Sequence, residues 1–111
     1  MVINQGDIIK FDFNPTVGHE QAGFRPALVI SNQTFNKFTN LLIVLPITST
    51  VSNFPLHIPL DDRTETQGNI LCEHIKSIDK TARKIKKIEK VPKDILEYVI
   101  AMIYGELEIE A

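Results

Sequence analysis

Between positions 14 and 25 the chain reads NPTVGHEQAGFR, a stretch with almost no large apolar side chain. It collects Arg25, Glu20, His19, Gln21 and the glycines Gly18 and Gly23. These are residue types that hold phosphate and move protons. A guanidinium offers a forked set of donors matched to phosphate oxygens, and an imidazole or carboxylate can serve as general base or acid. The alternative for the same residues is a surface loop in which Arg25 pairs with Glu20. A second polar group follows later, where Thr48, Ser49 and Thr50, then Ser52 and Asn53, make a hydroxyl-rich turn.

Strands must hold both groups. Residues 7–13 alternate, with Ile9, Phe11 and Phe13 on one side and Ile8, Lys10 and Asp12 on the other. Residues 27–31 are nearly all apolar and predict a central strand. Pro26 biases Arg25 toward an extended backbone, so the guanidinium stands at a strand entrance. The connection between these strands is about twice the two to five residues of an ordinary hairpin loop, and long polar loops are commonly functional. Residues 32–40 form a polar connection with one short helical turn, anchored by Phe35 and Phe38. Residues 41–48 are the most hydrophobic run, a second central strand in which Pro46 ends or bulges the pairing. Arg25 precedes one central strand and Thr48 ends the other, so antiparallel pairing brings them together.

In residues 54–60 a period of two sends Phe54, Leu56, Ile58 and Leu60 to the core. Pro55, His57 and Pro59 then face out on an edge strand, with His57 an exposed edge residue. Residues 61–68 form a polar loop. Short strands follow at 69–72, 75–78 and 84–91, and a helix at 92–104 starts on Pro92 and is capped by Gly105. Its Leu96, Val99, Ile100 and Ile103 recur at helical spacing and form core. Six or seven short strands and one C-terminal helix suggest a mainly β domain, a small SH3-like barrel.

Composition sets limits. A chain of 111 residues is one domain with a single modest core. No apolar run approaches the roughly 20 residues that span a bilayer, and the first residues carry no signal-like pattern, which predicts a cytosolic protein without membrane contact. The single cysteine, Cys72, excludes an internal disulfide. A net charge of −2 argues against binding nucleic acid over the whole surface. Lys76, Lys80, Arg83, Lys84, Lys86, Lys87 and Lys90 nevertheless crowd one segment, which is either a phosphate-attracting face or a solvated basic strand. Cys72 and His74 would share a strand face, but zinc needs two more ligands and only His19 and His57 remain, so no metal site is expected.

The pieces Gly6-Asp7, Pro15-Thr16, Gly18-His19-Glu20-Gln21, Gly23, Arg25-Pro26 and Pro46-Ile47-Thr48-Ser49 together resemble the MazF/PemK family of toxin endoribonucleases. The block GNILCEHIKSID at 68–79 resembles a later part of the same family. The resemblance implies a dimeric SH3-like barrel of the CcdB/MazF/PemK type that cuts single-stranded RNA without metal or cofactor. It also implies a cognate antitoxin whose flexible acidic tail covers the RNA groove. The family's catalytic arginine falls on Arg25, its catalytic hydroxyl on Thr48, and its loop pair on His19 and Glu20. Three positions depart from the pattern. Leu71 stands where some members have arginine, Glu73 where they have aspartate, and His74 where glutamine is usual.

RNA carries its own nucleophile, so such a site must take a proton from the 2′-hydroxyl, stabilise a dianionic phosphorane-like state and protonate the leaving 5′-oxygen. Arg25 and Thr48 suit the phosphate, and Glu20 or His19 suits the base. Gly18, Gln21, Gly23, Phe24, Ser49, Thr50, Asn53, Glu73, His74 and Lys76 line the expected RNA groove, with readout through hydrogen bonds more than stacking. Two rivals differ in class. A CcdB-like toxin that poisons gyrase without catalysis leans on a tryptophan, and this chain has none. An SH3-like binding module would need an aromatic-lined groove.

Overall fold

Ile8 and Ile9 are neighbours in sequence and belong to different hydrophobic clusters, because a strand turns successive side chains to opposite faces. The computed structural model describes residues 1–12 and 24–111. Phe13, placed by the sequence on the face of Ile9, lies outside them. The strands are β1 (Asp7–Asp12), β2 (Phe24–Val29), β3 (Leu41–Thr48), β4 (His57–Pro59), β5 (Asn69–Leu71), β6 (Lys76–Asp79) and β7 (Ile85–Lys90). Two helices join them, α1 (Gln33–Phe38) and α2 (Lys93–Leu107). All pairings are antiparallel, in the order β4-β5-β3-β2-β1-β7 with β6 also on β3. The expected mainly β architecture with a C-terminal helix is present. The barrel, however, is not closed among the described residues, and β4 and β7 remain edges.

One cluster joins Ile8, Leu28, Leu45, Ile47, Ile58 and Ile70 to Ile95 and Val99 of α2. The other, with Ile9, Phe11, Ala27, Val29, Leu42, Val44 and Ile78, occupies the opposite face. Pro46 acts as its missing N–H dictates. β3 pairs with β2 only as far as Pro46, opposite Ala27, and then with β5 through Ile47 and Thr48.

Several expectations need correction. α1 is capped by the Asn32 side chain, which accepts the Phe35 N–H, and its anchor is the buried Asn36 while Phe38 is exposed. Asn36 accepts from Ser31 Oγ and donates to the carbonyls of Ile3 and Ser31, so the buried polar side chain is satisfied. α2 places Pro92 at the N-cap and runs through Gly105 to Leu107. Gly105 has no positive φ, so it cannot close the helix in the left-handed way a glycine cap uses. Ile95 and Val99, rather than Ile100, are its buried residues. Among the described residues no helix is long and apolar enough to cross a membrane.

Part of the basic segment is committed to the fold. Asp7 is fully buried at the start of β1, and its Oδ2 accepts the Asn4 N–H at 2.7 Å. Lys87 and Lys90 place their ammonium groups 3.3 and 3.5 Å from the same carboxylate. They also donate to the carbonyls of Val2 and Gln5. The loop at 61–68 is pinned rather than loose. Arg63 bridges Asp61 and Asp94 of α2, while Glu89 of β7 accepts from the Glu65 N–H and from the N–H and hydroxyl of Thr66.

Candidate functional site

Thr48 stands where β3 has left β2 and joined β5, and three contacts fix it. Its partner across the ladder is Asn69, whose Nδ2 donates to the Thr50 carbonyl at 3.0 Å. The Thr48 hydroxyl accepts the Thr50 N–H at 3.2 Å, turning the chain out of the sheet. Gly68 lies against the Thr48 backbone, where a Cβ would come within 2.1 Å of the Thr48 carbonyl oxygen. Its φ of +122° is a second reason for glycine there.

Arg25 is the second residue of β2, exposed, opposite Phe11 of β1. The β2–β3 register pairs Ala27 with Pro46. The ladder ends at that pair: Arg25 lies two residues before Ala27 on β2 and Thr48 two residues after Pro46 on β3, each in step with the face of its own neighbour. A second guanidinium reaches the same corner. Arg83 donates to the Asp12 carbonyl at 2.6 Å and lies over the Phe11 ring, 5.7 Å from its centroid. Sequence reading saw Arg83 only as one of a basic run. Seventy-one positions separate it from Asp12, and no local pattern signals such a contact.

Phe24, Ser49, Thr50, Asn53, Glu73, His74 and Lys76 are all exposed, as a binding surface requires. Ser49, Thr50 and Asn53 follow directly from Thr48. Glu73 and His74 lie in the β5–β6 connection, and Lys76 opens β6 opposite Val44. His19, Glu20, Gly18, Gln21 and Gly23 lie outside the described residues.

His57 is the main surprise. It is partly buried, not an exposed edge residue, and both ring nitrogens are engaged. Nδ1 is 2.8 Å from Ser52 Oγ, and Nε2 is 2.6 Å from Glu73 Oε2. Ser52 Oγ already accepts the Phe54 N–H at 3.1 Å. Its proton is therefore free to go to Nδ1, which leaves the ring to donate from Nε2 into Glu73. Burial raises the Glu73 carboxyl, but its own backbone N–H and the His57 hydrogen bond hold it below the usual range. Glu106 of α2 is pushed up by burial and by the nearby Glu73 charge.

The strand expected over 54–60 shrinks to His57–Pro59. The His57 N–H bonds back to the Phe54 carbonyl, and the turn swings the Phe54 ring out to 49% exposure. Cys72 and His74 part company as well. Cys72 is sealed in the core and its thiol is pushed up to about 12, by burial first and then by Glu106 and Glu73, whereas His74 is exposed. Among the described residues no three His, Cys, Asp or Glu side chains are grouped to hold a metal ion.

Comparison with known proteins identifies the family. Residues 4–104 match the family model described as the PemK-like, MazF-like toxin of type II toxin–antitoxin systems. The endoribonuclease toxin MazF of Escherichia coli is 36% identical over 102 residues, covering 92% of this chain and 91% of that protein. The endoribonuclease EndoA of Bacillus subtilis is 36% identical over 104 residues, covering 89% of each. Among solved structures, MazF of Deinococcus radiodurans superimposes with a TM-score of 0.87 at 31% identity, over 98% of this chain and 99% of that one. The MazE-MazF complex of the same organism gives 0.87 over 99% of each chain. With nearly the whole length matched and the fold shared, the chain belongs to the PemK-like, MazF-like toxin family of type II toxin–antitoxin systems.

Proposed function

We propose that this chain is an endoribonuclease toxin that cuts single-stranded RNA in the cytoplasm, without metal, and is neutralised by a cognate antitoxin. Its membership of the family and its similarity to proteins named as endoribonucleases support the activity, and favour it over a gyrase-binding toxin on a related fold. The observation that supports the site is the β2–β3 ladder, whose last pair, Ala27 with Pro46, lies two residues from Arg25 on one strand and two from Thr48 on the other.

The reaction needs no group beyond the chain and its substrate. The 2′-oxygen bonds to phosphorus as the bond from phosphorus to the 5′-oxygen breaks, leaving a 2′,3′-cyclic phosphate. Glu20 or His19 takes the 2′-hydroxyl proton, and the 5′-oxygen leaves protonated. Arg25 donates to the phosphate oxygens as negative charge grows there, a contribution on the order of 3–4 kcal/mol for one strong donor. The Thr48 hydroxyl donates to the same phosphate from a rigid strand end. Gly18, Gln21, Gly23, Phe24, Ser49, Thr50, Asn53, Glu73, His74 and Lys76 hold the flanking nucleotides.

Two partners follow. A second copy of this chain completes a homodimer, and an antitoxin with an acidic tail lies across Arg25. The solved complexes of MazF with MazE support such a partner. The test is to incubate the protein with single-stranded RNA in EDTA and map the ends. Cyclic-phosphate ends that disappear in Arg25→Ala and Thr48→Ala support the reading; intact RNA, or cutting that survives both substitutions, overturns it.

A further inference from the structure

Thr48 is not alone on its face. Thr48 pairs with Asn69, Leu71 follows Asn69 on the same side of β5, and His57 pairs with Leu71. His57 therefore stands on the face of Thr48, two strands away, roughly 10 Å across the sheet. Around it lie an exposed aromatic ring, a carboxylate and a fixed hydrogen-bond chain, none of which the cleavage step uses. The Phe54 and His57 rings meet edge to face at 5.0 Å and 78°, with Phe54 half open to solvent.

We propose that Phe54 and Glu73, the latter oriented by His57, form a subsite for one unpaired RNA base bearing an exocyclic amine, in preference to uracil. The inference rests on the nuclease reading above and names what one part of that surface selects. Three physical points carry it. First, an exposed aromatic side chain beside a nucleic-acid path is a stacking platform that any base can use. Second, the Glu73 carboxylate is acceptor-only, so it takes the amine of adenine, cytosine or guanine. Uracil flanks its one ring N–H with two carbonyl oxygens that the carboxylate repels. Third, a carboxylate beside a polyanion weakens binding in general. Such a group gains a use only where it discriminates.

His57 is the positioning residue of this subsite. With Nδ1 tied to Ser52 and Nε2 to Glu73, it joins the connection after β3 to the connection after β5 and fixes one carboxylate oxygen. His74, whose Nε2 is 3.8 Å from the same oxygen, and Glu106 of α2 are further titratable groups near Glu73.

The test uses the whole chain, a random-sequence single-stranded RNA pool in EDTA, and sequencing of the cut ends. The wild type should deplete uracil about fivefold at one position near the cut, the size of a single base-edge contact. Glu73→Gln should erase that depletion, because an amide can donate to a uracil carbonyl. His57→Gln should weaken it, and Phe54→Ala should lower cutting about tenfold without changing which base is preferred. Retained cutting with an unchanged preference in Glu73→Gln overturns the subsite and leaves the nuclease standing. If the wild type leaves the pool uncut, the nuclease reading fails and binding decides the subsite. Oligocytidylate bound at least fivefold more tightly than oligouridylate of equal length, with the ratio near one in Glu73→Gln, supports it. Equal affinities in the wild type overturn it.

Discussion

The two faces of β3, β5 and β4 are built from adjacent residues and do opposite work. Ile47, Ile70 and Ile58 line one face and pack into the cluster under α2. Thr48, Asn69 and His57, each one step along the same strands, line the other with hydroxyl, amide and imidazole. The apolar face gives the polar one its precision. A strand held on one side by close packing cannot tilt its other side without opening a cavity. The comparison predicts that the faces separate under mutation, one setting rate and the other stability.

The sharpest break comes from Arg25→Ala or Thr48→Ala. Each should lower the cleavage rate about 10²–10³-fold, the scale of one lost anion-stabilising donor, while thermal melting shifts by no more than about 2 °C. On the opposite face, Ile70→Ala should cost about 3 kcal/mol in urea unfolding by removing a fully buried side chain. Its cleavage rate per folded molecule should stay within about twofold of wild type. A rate collapse in a still-folded Ile70→Ala would end the separation.

Gly68→Ala tests the seam between the faces. The added Cβ forces the Thr48 carbonyl aside, so cutting should drop at least about tenfold at saturating RNA although Thr48 is still present. The accompanying stability loss, about 1–3 kcal/mol for a strained backbone, should be smaller than for a cavity of equal functional effect. The smallest effect belongs to the loop behind the site. Burial raises the Glu89 carboxyl, but the backbone and side-chain bonds from Thr66 and the Glu65 N–H outweigh it and hold it low. A depressed carboxyl stabilises the fold above its ordinary range and loses that contribution as the pH falls through its folded value. Glu89→Gln should therefore cost about 1 kcal/mol at pH 7 and flatten the acid limb of the stability curve.

What sequence alone could read follows from range. Alternation and the missing N–H of Pro46 were enough to read β2 and β3 as core strands whose pairing ends at Pro46, because both are local properties of the sequence. The short helical turn expected within 32–40 is α1, although its Asn32 cap was not read from the sequence. Phe54 was misread because period two continues through Pro55, whereas the Phe54–His57 turn breaks the strand there. The same misreading hid His57, whose partners Ser52 and Glu73 meet it only once β4 lies on β5. Gly68 gave no signal, because its need arises from a backbone twenty residues away. Asp7 looked like a strand opener and proved to be a buried side chain beside two lysines, a pairing across β1 and β7 that no local window contains. The loop carrying His19 and Glu20 lies outside the described residues, so the choice of base rests on its residue types and a pH–rate comparison of His19→Ala with Glu20→Ala.

Cys72 has a practical consequence. Its sulfur is sealed beneath β5 and kept protonated, so the nucleophilic thiolate that alkylating reagents and peroxides attack is scarce in the native chain. As the sequence's sole sulfhydryl, it labels only when the core opens. Alkylation rate thus becomes a clock for whole-molecule opening, readable in the same tube as RNA cutting and needing no engineered probe.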